Sequence, residues 1–476
     1  MKMEGEAGRR AKYARMTGDP VAGLVCRMAG PTIVSMMVAA LYNMTDTFFV
    51  GRLGTSATGA VGIAFPLMAV IQAVGFFFGQ GSGNYISRKL GERDSGEAAR
   101  MAATGFFSAF GAGLLCAAVG LLFLSGLSLR LGATPTMLPH TGAYLRWILA
   151  GAPLMMSSLV LNNQLRLQGN AWYGMVGIVS GAVVNMGLDP LFIFVFGLGV
   201  GGAALATLLS QLTGFVLLLA GCAREGAIPI RWSLFSPSRA LYAEIFRGGL
   251  PSLCRQGLAS VAAAALNIAM ARYGDAAVAA ISIVNRVMMF AGSALIGFGH
   301  GFQPVCGFNY GAGRYDRVLA AFRFCVRVST AALLLLALAG YAFAPEVVGF
   351  FRAGDAEVIG MGGLALRLQC AVFPLLSWLI LCNMMTQNIG DYGKASVLSA
   401  ARQGLFFLPL VLILPRAAGL AGILLCQPLA DVCGFLLAIP LGVSVLRRLR
   451  RGAAASPAPI SPLKNGLGLE AGLEES

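Results

Sequence analysis

MVGIVSGAVVNMGLDPLFIFVFGLGV, residues 175–200, is long and apolar enough to cross a bilayer, yet it carries one aspartate, Asp189, and no basic residue. About 20 predominantly apolar residues suffice to span the hydrocarbon core. A carboxylate near its centre costs roughly 2.5–3.5 kcal/mol on insertion scales, so an acid retained there points to function. Asn185 stands four residues earlier, one turn away on the same helical face. Pro190 has no N–H to offer the carbonyl of Met186, which leaves that oxygen free for a side chain, a water or a cation. Carboxylate, amide and freed carbonyl together form a candidate proton or cation site inside a membrane, which suggests a coupled transporter.

The rest of the chain supports a membrane setting. Only 12% of its 476 residues are charged and 57% are hydrophobic, with a mean hydropathy of +0.76; soluble domains carry roughly 25% charged residues. Apolar runs of spanning length fall at 21–49, 57–78, 98–124, 143–165, 172–196 and 201–222, then at 246–271, 276–302, 320–343, 361–385, 396–414 and 420–446. The formal charge of +15 does not indicate nucleic acid, because Lys and Arg gather in alternate loops rather than on one face. Loops containing Arg9, Arg10, Lys12 and Arg15, then Arg88, Lys89 and Arg93, Arg224 to Arg247, Arg314 to Arg327 and Arg447 to Arg451 share one side. By the positive-inside rule that side is cytoplasmic, both termini included. The expected organisation is a cytoplasmic segment 1–20, a first lobe 21–222, a cytoplasmic linker 223–245, a second lobe 246–446 and a disordered cytoplasmic tail 447–476. The N-terminus lacks a short apolar core with a cleavage site, so no cleaved signal peptide is expected. The ten cysteines occur without a CxxC, and His140 and His300 stand far apart, so neither disulfides nor a zinc site is expected.

The chain is also an internal duplication. A slide of 220 positions, the separation of Pro31 and Pro251, superposes Arg52 on Arg272, Gly54 on Gly274, Phe78 on Phe298, Gly81 on Gly301 and Gly91 on Gly311. A slide of 221 matches Leu145-Arg146 to Leu366-Arg367, Pro153 to Pro374, Asn162 to Asn383 and Gly169 to Gly390. Six spans per repeat is an even number, so both halves enter the membrane in the same sense. The fold expected is an all-α polytopic protein: twelve transmembrane helices in two six-helix bundles, related by a pseudo-two-fold axis along the membrane normal, with a cavity between them.

Of the twenty acids only Asp46, Asp189 and Asp431 fall within proposed spans. Asp46 ends the first span after Leu41-Tyr42-Asn43, and reads either as an interfacial acid or as part of the Asp189 site. Pro31, earlier in that helix, is a candidate bend point. Thr207 adds a hydroxyl on the sixth span, where a threonine ordinarily bonds back to its own backbone. Asp431 is open between an ion pair with Arg255 or Arg286 and a role toward substrate.

Gly18-Asp19-Pro20, Pro31-Thr32-Ile33, Leu41-Tyr42-Asn43, Asp46 and Val50-Gly51-Arg52-Leu53-Gly54 together resemble the start of a MATE-family (multidrug and toxic compound extrusion) efflux transporter. Gly299–Gly301, Gln303-Pro304 and Asn309-Tyr310-Gly311-Ala312 resemble the second-half signature of the same family. The likeness covers roughly residues 18–446 and is nearest the bacterial DinF- and MepA-like branch. It implies two six-helix lobes that alternately open inward and outward, exporting cationic or amphipathic small molecules against H⁺ or Na⁺ from the cytoplasmic membrane of a bacterium. Carried over by motif, its first-lobe cation site falls on Asp46, Asn185, Asp189 and Thr207, and Tyr144 matches an aromatic position lining that lobe.

One branch of the family, the NorM-like members, carries acids on the seventh and tenth spans. Here the seventh has Arg255 and Gln256, and the tenth, 361–385, has no acid. A second carboxylate site in the second lobe is therefore not expected. His300 stands where relatives have glutamine, and a hydrogen-bonded structural histidine is expected rather than a proton relay. A lipid-linked precursor flippase of the same superfamily is the alternative, kept open by Arg255 and Arg286 as a cationic patch for pyrophosphate. An intramembrane enzyme is the remote one, since neither HExxH nor GxSxG occurs. The expected partners are small-molecule drugs, H⁺ or Na⁺ and membrane lipid, with no nucleic acid, no organic cofactor and a monomeric chain.

Overall fold

The computed structural model describes residues 2–224, 226–352 and 355–455. A basic helix α1 (Lys2–Gly18) precedes the first half, which comprises α2 (Val21–Gly51), α3 (Thr55–Gly91), α4 (Ser95–Leu122), the short α5 (Leu124–Arg130), α6 (Leu138–Leu167), α7 (Ala171–Pro190) and α8 (Gly199–Cys222). The second half comprises α9 (Arg239–Met270), α10 (Asp275–Gly311), α11 (Tyr315–Ala342), the short α12 (Ala344–Phe351), α13 (Ala356–Val372), α14 (Leu376–Ile389), α15 (Tyr392–Ala400) and α16 (Leu408–Ala455). Among the described residues there is no strand.

Eleven described helical runs are long and apolar enough to cross a membrane. The last of them, 392–455, is two spans joined at a break. Ala418 (φ −132°, ψ 15°) and Gly419 (φ 57°, ψ −136°) leave helical geometry there, and the positive φ is one that glycine adopts without penalty. The count is thus twelve spans, six in each half. Each half has its own apolar core. One gathers residues of α2 to α8 around Tyr144, Leu149 and Leu161; the other gathers α9 to α16 around Phe302, Phe322 and Leu381, joined by Met16 of α1 and by Leu24 and Val25 at the start of α2.

The duplication is visible in matched contacts. Asn162 donates to the carbonyl of Gly174 at 3.0 Å, and its counterpart Asn383 donates to Ala395 at 2.8 Å. The halves meet through α2 on α10 and α3 on α9, where glycines let backbones touch. A Cβ on Gly81 would lie 2.4 Å from the carbonyl oxygen of Ile245, and one on Gly301 2.4 Å from Cα of Ala29. A Cβ on Gly91 would lie 2.2 Å from the oxygen of Phe308, and one on Gly311 2.0 Å from that of Arg88. Each pair of glycines is a pair superposed by the repeat.

Two expected boundaries move. The seventh span begins at Arg239, inside the expected linker 223–245, because Ser238 caps it by accepting from the amide of Leu241. Residues 447–455 of the expected disordered tail are helical, continuing α16 past the apolar stretch, with Leu449 buried. A run of arginines leaves lipid without leaving the helix, since Arg has high helix propensity. The remaining tail, 456–476, lies outside the described residues.

Candidate functional site

α7 carries Asn185 and Asp189 one turn apart, both fully buried, and the Asn185 Nδ2 donates to Asp189 Oδ1 at 3.2 Å. Asp189 Oδ2 and Asn185 Oδ1 are buried without a hydrogen-bond partner. Immediately after Pro190 the helix widens into a π-helical turn, Leu191–Val195. Pro190 cannot close the α-helical bond to Met186, and π turns interrupting a helix are frequent at functional sites.

α2 brings Asp46 toward this pair. Its Oδ1 is likewise buried and unpartnered, and the two carboxyl groups lie within electrostatic reach of each other. Tyr42, one turn before Asp46, places its phenol beside Thr207, Asp46 and Asp189. Tyr144 of α6 is 1% exposed, stands beside the same acids and donates its hydroxyl to the sulfur of Met68 at 3.6 Å. Thr207 on α8 bonds back to the carbonyl of Ala203 at 3.0 Å, as a mid-helix threonine ordinarily does. The structure thus brings Asp46, Tyr144, Asn185, Asp189 and Thr207 together from four helices of the first half. Tyr42, present in the quoted Leu41-Tyr42-Asn43 run, is the member that the sequence did not assign to the site; its i−4 spacing from Asp46 was the signal. Pro31 lies lower in α2, in a continuous helix, where Ser35 donates to the Pro31 carbonyl at 2.9 Å.

The second half is arranged differently. Asp431 is paired, but with Arg402 rather than with Arg255 or Arg286. The Arg402 Nε reaches Oδ1 at 2.6 Å, and Gln427 donates to the same oxygen at 2.8 Å. Arg402 sits in a second π-helical turn, Ala401–Phe407. Arg255, half-buried at the middle of α9, and Arg286, exposed on α10, have no ion pair among the described residues. An arginine exposed that far inside a span faces an aqueous cavity more readily than lipid.

Between the halves lies a polar network that the sequence did not announce. Arg166 of α6 is 2% exposed. It donates to the main-chain oxygen of His300 at 3.0 Å, to Oε1 of Gln303 and to Oδ1 of Asn163 at 2.7 Å, while Gln80 donates to Asn163 at 3.0 Å. Every partner of this buried cation is neutral, and the charge acting on it is the like charge of Arg255. The repeat places Gln387 at the equivalent position, but its bond stays within the second half, donated from α14 to the carbonyl of Gly248 on α9 at 2.9 Å. His300 is buried as a structural residue would be, but its hydrogen bond runs through its main chain; its imidazole takes none among the described residues.

Known proteins resemble the chain as a whole. The MatE family profile matches residues 31–191 and 251–413, one segment in each half. The chain is 27% identical over 410 residues to the multidrug export protein MepA of Staphylococcus aureus strain N315, covering 85% of this chain and 90% of that protein. A Staphylococcus saprophyticus protein of the same name is 26% identical over 422 residues, covering 88% and 92%. Among solved structures, a MATE protein in complex with MaL6 superposes with a TM-score of 0.87 at 27% identity, over 92% of this chain and 99% of that one. A MOP superfamily transporter from Pyrococcus furiosus, for which a reverse polarity of the binding pocket has been taken to suggest a different function, superposes with a TM-score of 0.85 at 27% identity, over 92% and 98%.

Proposed function

This chain belongs to the MatE family of multi-pass membrane transporters, and from that premise we propose that it exports cationic or amphipathic small molecules by antiport against H⁺ or Na⁺. The observation that carries the reading is the under-bonded carboxylate pair of Asp189, fully buried, and Asp46, half-buried with its Oδ1 out of contact with solvent. A carboxylate taken out of water without a cation or a full set of donors is costly. Asp189 has one donor, Asn185, and a second oxygen with none. A proton or a Na⁺ arriving at the pair removes that cost, and the phenol of Tyr42 and the hydroxyl of Thr207 are placed to share the ion's coordination. An ion that binds one conformation of the lobes better than the other shifts their equilibrium by that difference. Export against a gradient then follows when the drug favours the opposite conformation. Asp46, Asn185, Asp189 and Thr207 are the proposed coupling residues, with Tyr144 lining the pocket and Pro31 as the bend point of α2. The membrane is proposed to be the bacterial inner membrane, with both termini cytoplasmic, and the working unit a monomer.

The test is efflux of a fluorescent cation from vesicles holding the purified protein, driven by an imposed pH or Na⁺ gradient. Asp189→Asn keeps the shape of the side chain and removes its charge; gradient-driven export is expected to cease while expression stays near that of the wild type. Full export by that variant refutes the assignment. Arg166, Arg255 and Arg286, none of which has a carboxylate partner, favour a second reading in which an anionic amphiphile occupies the central cavity. Preferential transport of an anionic dye in the same vesicles decides for it.

A further inference from the structure

We propose that a crevice at the start of the first lobe binds the phosphate headgroup of an anionic phospholipid. The crevice has a volume of about 370 Å³ and lies between α1, the beginning of α2 and the beginning of α7. Lys12, Arg15 and Arg27 line it, with Asp19 as the one acid. Lys12 is 8% exposed and spends one donor on the carbonyl of Gly226 at 2.7 Å, leaving two N–H groups of a buried ammonium without an acceptor. Arg15 and Arg27 have no ion pair among the described residues.

Two further features lie along the lining of the same space. The Nδ2 of Asn170 is buried and has no partner. Asn170 also precedes α7 without capping it, so the first-turn amides of that helix are free to bind an anion at its positive end. A phosphate matches this set, with oxygens enough for the guanidinium groups, the ammonium and the amides together. Trp172, 61% exposed at the mouth, suits the interfacial depth at which headgroups lie. That position favours a lipid over a soluble phosphate, and anionic headgroups collect in basic pockets between helix ends.

The site would also join the halves. The carbonyl of Met16 accepts from Asn309 of α10 at 3.0 Å, and the carbonyl of Asp19 accepts from Arg317 of α11. α1 is therefore fastened to the second half, while α2 and α7 belong to the first. A headgroup seated between them favours the conformation in which these elements are together. The leaflet concerned rests on the proposed orientation; binding itself does not.

Native mass spectrometry of the full chain, with equal phosphatidylglycerol and phosphatidylcholine, tests the site. The wild type is expected to retain phosphatidylglycerol preferentially, and Arg15→Gln/Arg27→Gln to reduce its occupancy at least fivefold. Arg323→Gln/Arg327→Gln, an exposed pair on α11, is expected to leave occupancy unchanged. Equal loss in both double variants, or none in the crevice pair, overturns the proposal. Displacement of the lipid by an equal concentration of inorganic phosphate shows a soluble-anion site and overturns the lipid assignment. In vesicles, labelling of a Ser236→Cys variant reports orientation separately. If position 236 labels from outside while the crevice pair still governs retention, the orientation fails and the site stands.

Discussion

Gly311→Ala is a perturbation whose size can be worked from the backbone. The new Cβ would lie 2.0 Å from the carbonyl oxygen of Arg88, where ordinary contact begins at 3.4 Å. The obstacle is main chain, so no rotamer change relieves it, and α3 and α10 must separate by more than an ångström. Overpacking of this kind costs about 1–3 kcal/mol. Alanine also improves helix propensity by roughly 0.5–1 kcal/mol over glycine, but that gain applies in every conformation in which α10 is helical and cancels from the equilibrium between them. The clash exists only in the conformation seen here, in which α3 and α10 close on each other at this point. With each 1.4 kcal/mol worth about tenfold, the closed population should fall by about 5- to 150-fold relative to the open one. Ser87 is fully buried and donates across the boundary to the carbonyl of Pro304 at 3.4 Å. A Ser87→Cys reporter should then react with a polar maleimide correspondingly faster, measured above the background of the native cysteines. Gly91→Ala should act alike through Phe308, and the double variant should be less than additive because one separation relieves both clashes. Gly111→Ala on α4, with open space around it, should leave labelling unchanged. Wild-type labelling in Gly311→Ala would refute the reasoning.

Asp431→Asn leaves Arg402 without its ion pair and should alter which drugs are exported, or their affinity, while the ion dependence of export persists; a dose–response series under both gradients checks it. Lys12 is held down to about 7 from its ordinary 10.5, first by burial and then by Arg15. Docking of α1 should therefore be weakest below pH 7 and strengthen as the pH rises from 7 toward 10.5, since the undocked lysine binds the proton that the docked one resists; proteolysis of α1 at pH 7 and pH 9 reads this, and Lys12→Met should abolish the difference. A Ser236→Cys variant should label only from the cytoplasm, and its labelling from outside intact cells overturns the orientation.

What the sequence made legible follows from local rules. An amide and a carboxylate at i and i+4 share a helix face whatever surrounds them, so Asn185 and Asp189 could be paired from spacing alone, and the structure joins them. The twelve spans and the duplication were legible because lipid requires long apolar runs and because Pro, Gly and Arg are conspicuous when they repeat. Arg402 was missed as the partner of Asp431 because a π-helical turn changes which residues face inward, and no fixed periodicity anticipates it. Arg166 was hidden at the end of an apolar run, indistinguishable by position from an interfacial cation. Its burial depends on α10 arriving from the other half.

The same comparison explains why one half alone should hold the ion. The repeat maps Tyr42, Asp46, Asn185 and Asp189 onto Ala262, Leu266, Phe406 and Leu410. All four of these belong to or pack against a single small apolar cluster that also contains Phe407, Val411, Cys426 and Ala430. The location is therefore preserved while its chemistry is inverted: a pocket of under-bonded polar atoms in the first half is a packed hydrocarbon core in the second. A π-helical turn occurs near each, after Asp189 and before Leu410, at positions that the repeat does not superpose, and the charge belongs to one copy alone. Close-packed apolar side chains resist rearrangement, whereas carboxylates that gain or lose a proton or cation change their favoured surroundings by several kcal/mol. A symmetric frame with one such pocket can thus answer an ion gradient in its first half and transmit the result through the matched glycine contacts that both halves share.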